Sequence, residues 1–134
     1  MDDFTPVDSQ SLYFRALSAA RLSATVLLLI AGVSFWIQWS TIPRFVEVFE
    51  HTVSGGRPAL PNLTRMIIGG HTPLAGIGAF ICLSALIYVW ALGRDIVRVI
   101  FVATAGTALL LIASLVIHFA LTQPLYTVVT KFAD

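Results

Sequence analysis

Three stretches of this chain are long enough to cross a bilayer and contain no Asp, Glu, Lys or Arg. They are LSATVLLLIAGVSFWIQW at residues 22–39, LAGIGAFICLSALIYVWAL at 74–92, and VIFVATAGTALLLIASLVIHFAL at 99–121. A spanning helix needs about 20 apolar residues. In hydrocarbon the backbone must satisfy its own hydrogen bonds, so each run is expected to be a helix. Buried helices of a soluble core are the alternative, and three such runs in one short chain argue against it. The rest of the chain agrees: it is 57% hydrophobic and 11% charged, with a mean hydropathy of +0.89, where soluble domains run about 25% charged. The first run is not read as a signal peptide, because it is long, ends in Trp39 and is followed by no small-residue cleavage site. The expected fold is all-α: an integral membrane protein of three transmembrane helices with a short amphipathic helix in the first extramembrane loop. Residues 1–134 form one membrane domain, with a flexible lead-in at 1–10 and a long loop at 40–73.

Several function classes fall away on composition. A net charge of +1 gives no electrostatic argument for nucleic acid. No phosphate-binding glycine motif occurs. Cys82 is the single cysteine, so no internal disulfide can form. No span carries a carboxylate or lysine for a proton relay, and Ser84 and Cys82 have no histidine near them in sequence to activate them. Three spans offer no inverted repeat of the transporter kind.

Most of the chemical variety sits in the loop. Residues 41–53, TIPRFVEVFEHTV, place Phe45, Val48, Phe49 and Val53 at helical spacing, with Arg44, Glu47, Glu50 and His51 elsewhere. That is an amphipathic helix, with Thr41 as its expected cap. SGGRP breaks it, LPNLTRMII starts a second helical piece, and GGHTP leads into the second span, with Thr72 as expected cap and Pro73 as first helical residue; a kinked continuous helix is the alternative there. Ser9 or Ser11 is the expected cap of the first helix, and the tail is expected to leave the third span at Pro124. Small residues mark helix faces for close packing: Ala16, Ala20, Ala24 and Gly32 in the first helix, Ala75, Gly76 and Ala79 in the second span, Ala103, Gly106 and Thr107 in the third. A face for self-association is a further use of such residues.

Basic residues tie at four on each side: Arg15, Arg21, Arg94 and Arg98 against Arg44, Arg57, Arg65 and Lys131. The rule that positive charge stays cytoplasmic is strongest in short loops. Arg94 and Arg98 crowd the short connection between the second and third spans, which favours a cytoplasmic N-terminus.

The loop resembles a known family. Pro43, Phe45 and Phe49 follow the first span, then the pair Gly55–Gly56, then Leu60, Pro61, Thr64 and Arg65; Pro124 and Leu125 follow the third span. This pattern is similar to the platform proteins of type II secretion and type IV pilus machines, the secretion system F family. The resemblance covers the membrane frame and the outer loop, half of the chain. It implies a bacterial inner (cytoplasmic) membrane protein with a cytoplasmic N-terminus and with loop 40–73 and the C-terminus periplasmic. Members also carry two cytoplasmic helical bundles, which have no counterpart in the lengths before the first span and between the later two.

The expected function is therefore non-enzymatic: a small membrane subunit or scaffold working through protein–protein contact. Its expected partners are membrane lipid and other membrane proteins or itself, not nucleic acid. Phe45, Val48, Phe49, Leu60, Pro61, Leu63, Thr64 and Arg65 are expected to form the contact surface or seat the loop on the bundle. No catalytic residue, metal site or cofactor is expected. The alternative is a membrane anchor of an electron-transfer complex, in which His71 and His118 meet across the bundle as haem ligands. Against it, GGHTP reads well as a turn, and His118 is expected to donate a hydrogen bond to a neighbouring helix.

Overall fold

A computed structural model describes residues 6–52 and 60–133. Four α-helices account for most of them: α1, Pro6–Thr52; α2, Asn62–Gly69; α3, His71–Ile87; and α4, Ile96–Ala133. One π-helical turn, Tyr88–Leu92, closes α3. No strand occurs among the described residues. Three helices are long and apolar enough to span a membrane, as the three uncharged runs require. Their outward faces carry Leu22, Val26, Ile30, Phe80, Leu83, Phe101, Leu115 and Phe119, all exposed. Such a surface belongs against lipid rather than water.

α1 packs most extensively on α4. The buried residues of α1 are Leu17, Ala24, Leu28, Ala31, Phe35, Ile42 and Phe49, separated by three, four or seven positions. On α4 the buried Val99, Ala103, Leu110, Ile117 and Leu121 follow the same rhythm, with Ala120 buried beside them. A period of 3.5 residues keeps one seam facing a neighbouring helix along its whole length. The two helices run parallel, since early residues meet early ones (Leu17, Ala24 and Leu28 with Val99 and Ala103) and late meet late (Ile42 and Phe49 with Ile117 and Leu121). α3 returns antiparallel to them and packs against both. The bundle thus has a turn end, where residues 93–95 join α3 to α4, and a loop end, where α2 sits.

The lengths differ in a telling way. His71–Leu92 has 22 residues, about 33 Å at 1.5 Å per residue, which matches a hydrocarbon core of about 30 Å. α1 has 47 residues, about 70 Å, and α4 has 38, about 57 Å. Both overshoot the span and extend together past the loop end.

Several local expectations fail for one reason: helices run through their expected ends. The first helix is already helical at Pro6, the first described residue, so residues 6–10 of the expected lead-in belong to α1, and residues 1–5 lie outside the described residues. Ser11 lies inside it and turns its hydroxyl back to the Asp8 carbonyl. Thr41 caps nothing: α1 continues through Pro43, and Ser40 and Thr41 both donate to the Ile37 carbonyl, at 2.9 and 2.8 Å. The amphipathic segment is therefore the continuation of the first span, while α2 is the short separate amphipathic helix. Ile42 and Phe49, on either side of Pro43, are both buried, and their packing outweighs proline's local cost. α4 likewise passes Pro124 and continues to Ala133. Thr72 is not a cap either: α3 starts at His71 with Gly70 before it and no side-chain cap bond. The Leu74 N–H bonds Gly70 O, and the Gly70 N–H bonds Met66 O. α2 and α3 thus form the kinked, nearly continuous helix.

Candidate functional site

The long loop returns to the bundle through α2, and its contacts build the most elaborate part of the molecule. α2 is amphipathic. Thr64, Ile67 and Ile68 lie on its buried face, while Leu63, Arg65 and Met66 are exposed. Phe49 of α1, Leu60, Ile67 and Ile68 join Ile117, Ala120 and Leu121 of α4 in one apolar cluster, with Phe45, Val46 and Trp39 packed at its edge. Phe45 and Phe49 stack with ring centroids 6.0 Å apart.

A single hydroxyl links this cluster to α4. Thr64 Oγ1 donates to the Ala120 carbonyl at 2.6 Å, and Thr64 is 0% exposed. The acceptor is available because of Pro124. In an α-helix the Ala120 carbonyl takes its bond from the N–H four residues on, and proline has none. The orphaned, buried carbonyl is satisfied by a residue from another helix. Neighbouring helices and Thr side chains are what make proline tolerable inside membrane helices.

A second tie fixes the junction with α3. Trp39 Nε1 donates to the His71 carbonyl at 2.6 Å, and the two rings stack with centroids 6.5 Å apart. The His71 ring lies against the Ile68 carbonyl, with Nδ1 at 3.2 Å. Ile42, Pro43, Val46, Ile68 and His71 line a cleft of about 250 Å³ beside it.

The eight expected loop residues divide cleanly. Phe49, Leu60 and Thr64 are buried and seat the loop. Phe45 and Pro61 are half-buried, and the Pro61 carbonyl receives the Arg65 N–H at the start of α2. Val48, Leu63 and Arg65 are exposed, and Arg65 reaches back to Asn62 Oδ1 at 2.8 Å. Gly55, Gly56 and Arg57 lie outside the described residues.

Of the small residues expected at helix faces, Ala24, Ala103 and Gly106 are buried, and Ala20, Gly32, Ala75 and Thr107 are half-buried. Ala16, Gly76 and Ala79 are exposed, and a Cβ on Gly76 would meet nothing within 4 Å. On α3 the packed face is one step over, at Gly78 and Ala85, and it continues to Val89 of the π-helical turn. Gly78 is the residue that matters, because a Cβ there would collide with the Phe35 ring.

The haem alternative names His71 and His118. His71 is held at the α2–α3 junction, while His118 is exposed on α4. No hydrogen bond joins the His118 ring to another helix among the described residues, so its expected role as a donor is corrected. Among the described residues no group of three or more His, Cys, Asp or Glu could hold a metal ion.

Sequence reasoning placed Trp39 at the end of the first span without its partner, and missed Ile42, Ile67, Ile68 and Ala120. The three isoleucines carried a legible signal, since Ile42 continues the seven-residue spacing of Leu28 and Phe35, and Ile67–Ile68 is the apolar pair of a short amphipathic helix. Ala120 carried none except its position four before Pro124.

Comparison with models of known families, with curated proteins and with solved structures finds no match to this chain.

Proposed function

We propose that this protein is a non-enzymatic membrane subunit or scaffold that works by contact. It offers the outward side of its seated loop to other membrane proteins, in the manner of the secretion and pilus platform proteins its loop resembles. In this reading it lies in a bacterial inner membrane with its N-terminus cytoplasmic and its loop end periplasmic.

The observation that carries the proposal is the division of labour among the residues of the seated loop. Leu60, Thr64 and Phe49 are buried against α4 and fix the position of α2. Leu63, Arg65 and Met66 are thereby held outward on a fixed mount. A surface presented on a rigid support loses less entropy on binding than a free loop does. The resemblance itself runs through both halves of this arrangement, including Pro124, whose freed acceptor receives Thr64.

The test is purification of the tagged protein from native membranes in mild detergent, with mass spectrometry of what accompanies it. Secretion or pilus components are expected, and Phe49→Asp, which puts a charge into the seat, is expected to lose them. Recovery of respiratory subunits instead, or unchanged assembly in Phe49→Asp, would overturn the proposal.

A further inference from the structure

At the turn end an arginine is fixed on the backbone with no carboxylate paired to it among the described residues. Arg21 donates from Nη2 to the Gly93 carbonyl at 2.6 Å, and its Nε is buried with no hydrogen-bond partner. A buried charged donor is costly unless it meets an acceptor or a counter-charge. Nε meets neither among the described residues. Among the described residues no carboxylate pairs with Arg21, nor with Arg15, Arg94 or Arg98 at the same end. Asp95 turns its carboxylate to the Val97 N–H at the start of α4. Asp8 is exposed two helical turns before Arg15.

These arginines stand at the height of lipid phosphates. Because His71–Leu92 just matches the hydrocarbon thickness, the Gly93–Arg94 peptide that follows it falls in the headgroup layer. Aromatic residues mark the same level, as they do at membrane–water boundaries. Trp90 is 51% exposed and its Nε1 bonds Thr25 Oγ1 at 3.0 Å. The Tyr13 hydroxyl donates to the Arg94 carbonyl at 3.2 Å. This placement holds for either orientation of the chain across a membrane.

We infer that the turn end binds an anionic phospholipid, whose phosphate oxygens accept from the arginine set that Arg21 anchors and whose acyl chains lie beside Trp90. Arginine suits phosphate because its planar fork donates two parallel hydrogen bonds. A zwitterionic headgroup brings its own cation, which uncompensated arginines repel, so the anionic class is selected. Basic pockets between membrane helices at the headgroup level are a general means of holding such lipids.

The experiment is native mass spectrometry of the intact protein released from nanodiscs holding equal amounts of phosphatidylglycerol and phosphatidylcholine. Retained phosphatidylglycerol should predominate. Each arginine near the surface contributes about fivefold to such a preference. Arg94→Gln and Arg98→Gln remove exposed side chains that make no hydrogen bond among the described residues, so each should lower the preference about fivefold without moving the thermal midpoint. Arg21→Gln should lower it at least as far. Arg44→Gln, at the opposite end, should leave it intact. Equal retention of the two lipids by the native protein overturns the proposal. So does an unchanged preference when Arg94 and Arg98 are both replaced by Gln, a test that stands even if Arg21→Gln fails to fold. A loss in Arg44→Gln as large as in Arg98→Gln also overturns it, because the attraction would then be general rather than local.

Discussion

The two ends of the bundle are closed by different physics. At the loop end a long connection is brought back by burial: Phe49, Leu60, Ile67 and Ile68 form a small core against Ile117 and Leu121, with one buried hydroxyl inside it. At the turn end the connection is three residues, 93–95, and side chains of α1 strap its carbonyls directly: Arg21 to Gly93 and Tyr13 to Arg94. The apolar cluster there is made of smaller groups, with Ala24, Ala85 and Ala103 beside Leu17, Leu28, Val89 and Val99. A long loop that is to hold one position needs a core of its own to offset its ordering entropy. A short connection has little entropy to lose and needs only its backbone acceptors satisfied. The loop end is therefore expected to fail through lost burial and the turn end through lost fit.

The largest effect that would separate the two is Phe49→Ala. Removing a buried phenyl ring is expected to cost about 3–5 kcal/mol, read as a fall in the detergent-solubilised thermal midpoint. Trypsin cleavage after Arg65 should accelerate, because α2 loses its seat. If the midpoint falls with no change in cleavage at Arg65, the loop does not depend on this core. Thr64→Val comes next. It is nearly isosteric but leaves the buried Ala120 carbonyl without a donor, at about 1–3 kcal/mol. The cost should shrink when Pro124→Ala is introduced as well, since the restored N–H can bond Ala120 itself. Additive effects in that double-mutant cycle would mean Pro124 does not create the acceptor.

On the turn-end side, Gly93→Ala is expected to destabilise by about 1–3 kcal/mol through overpacking. A Cβ there would lie 2.5 Å from Val99 Cγ2 and 3.0 Å from the Val89 carbonyl. Arg65 cleavage should stay at the native rate in this variant. Faster cleavage would show that the ends are coupled and that the comparison is too sharp.

The parts legible in the sequence were those set by solvent. Three uncharged runs can only be helices in hydrocarbon, and that fixed the spans, the three-helix count and the position of the loop. What the sequence concealed follows from rules learned in water. Pro43, Pro124 and Thr41 read as boundaries because an exposed helix cannot absorb a missing N–H. Here Ile42 and Phe49 hold α1 together across Pro43, and Thr64 takes the carbonyl freed by Pro124. The packing face of α3 was misplaced by one step because small residues fill its whole first half, at Ala75, Gly76, Gly78 and Ala79. Which of them faces a neighbour is decided by the Phe35 ring on α1, and no spacing within α3 reports that. Within the candidate site Phe49, Leu60 and Thr64 were readable as a group, but not which of the eight loop residues turn inward. That depends on the phase of α2, which its few turns set only through contact with α4.

The smallest expected effect is the most discriminating about the straps. Tyr13→Phe removes one hydroxyl from an exposed ring, 45% accessible, whose bond to the Arg94 carbonyl is 3.2 Å long. A substitution at such a surface position normally stays within about 0.5 kcal/mol, and the thermal midpoint should barely move. If turn-end closure is divided between two straps, the buried one carries it, because Arg21 is half-buried and its bond, at 2.6 Å, is short and charge-assisted. The useful readout is amide hydrogen exchange at Arg94 and Asp95, which follows local opening rather than global unfolding. Exchange should rise modestly in Tyr13→Phe and strongly in Arg21→Gln. Equal rises would mean that the straps share the load, and that closure at this end is as collective as the core at the other.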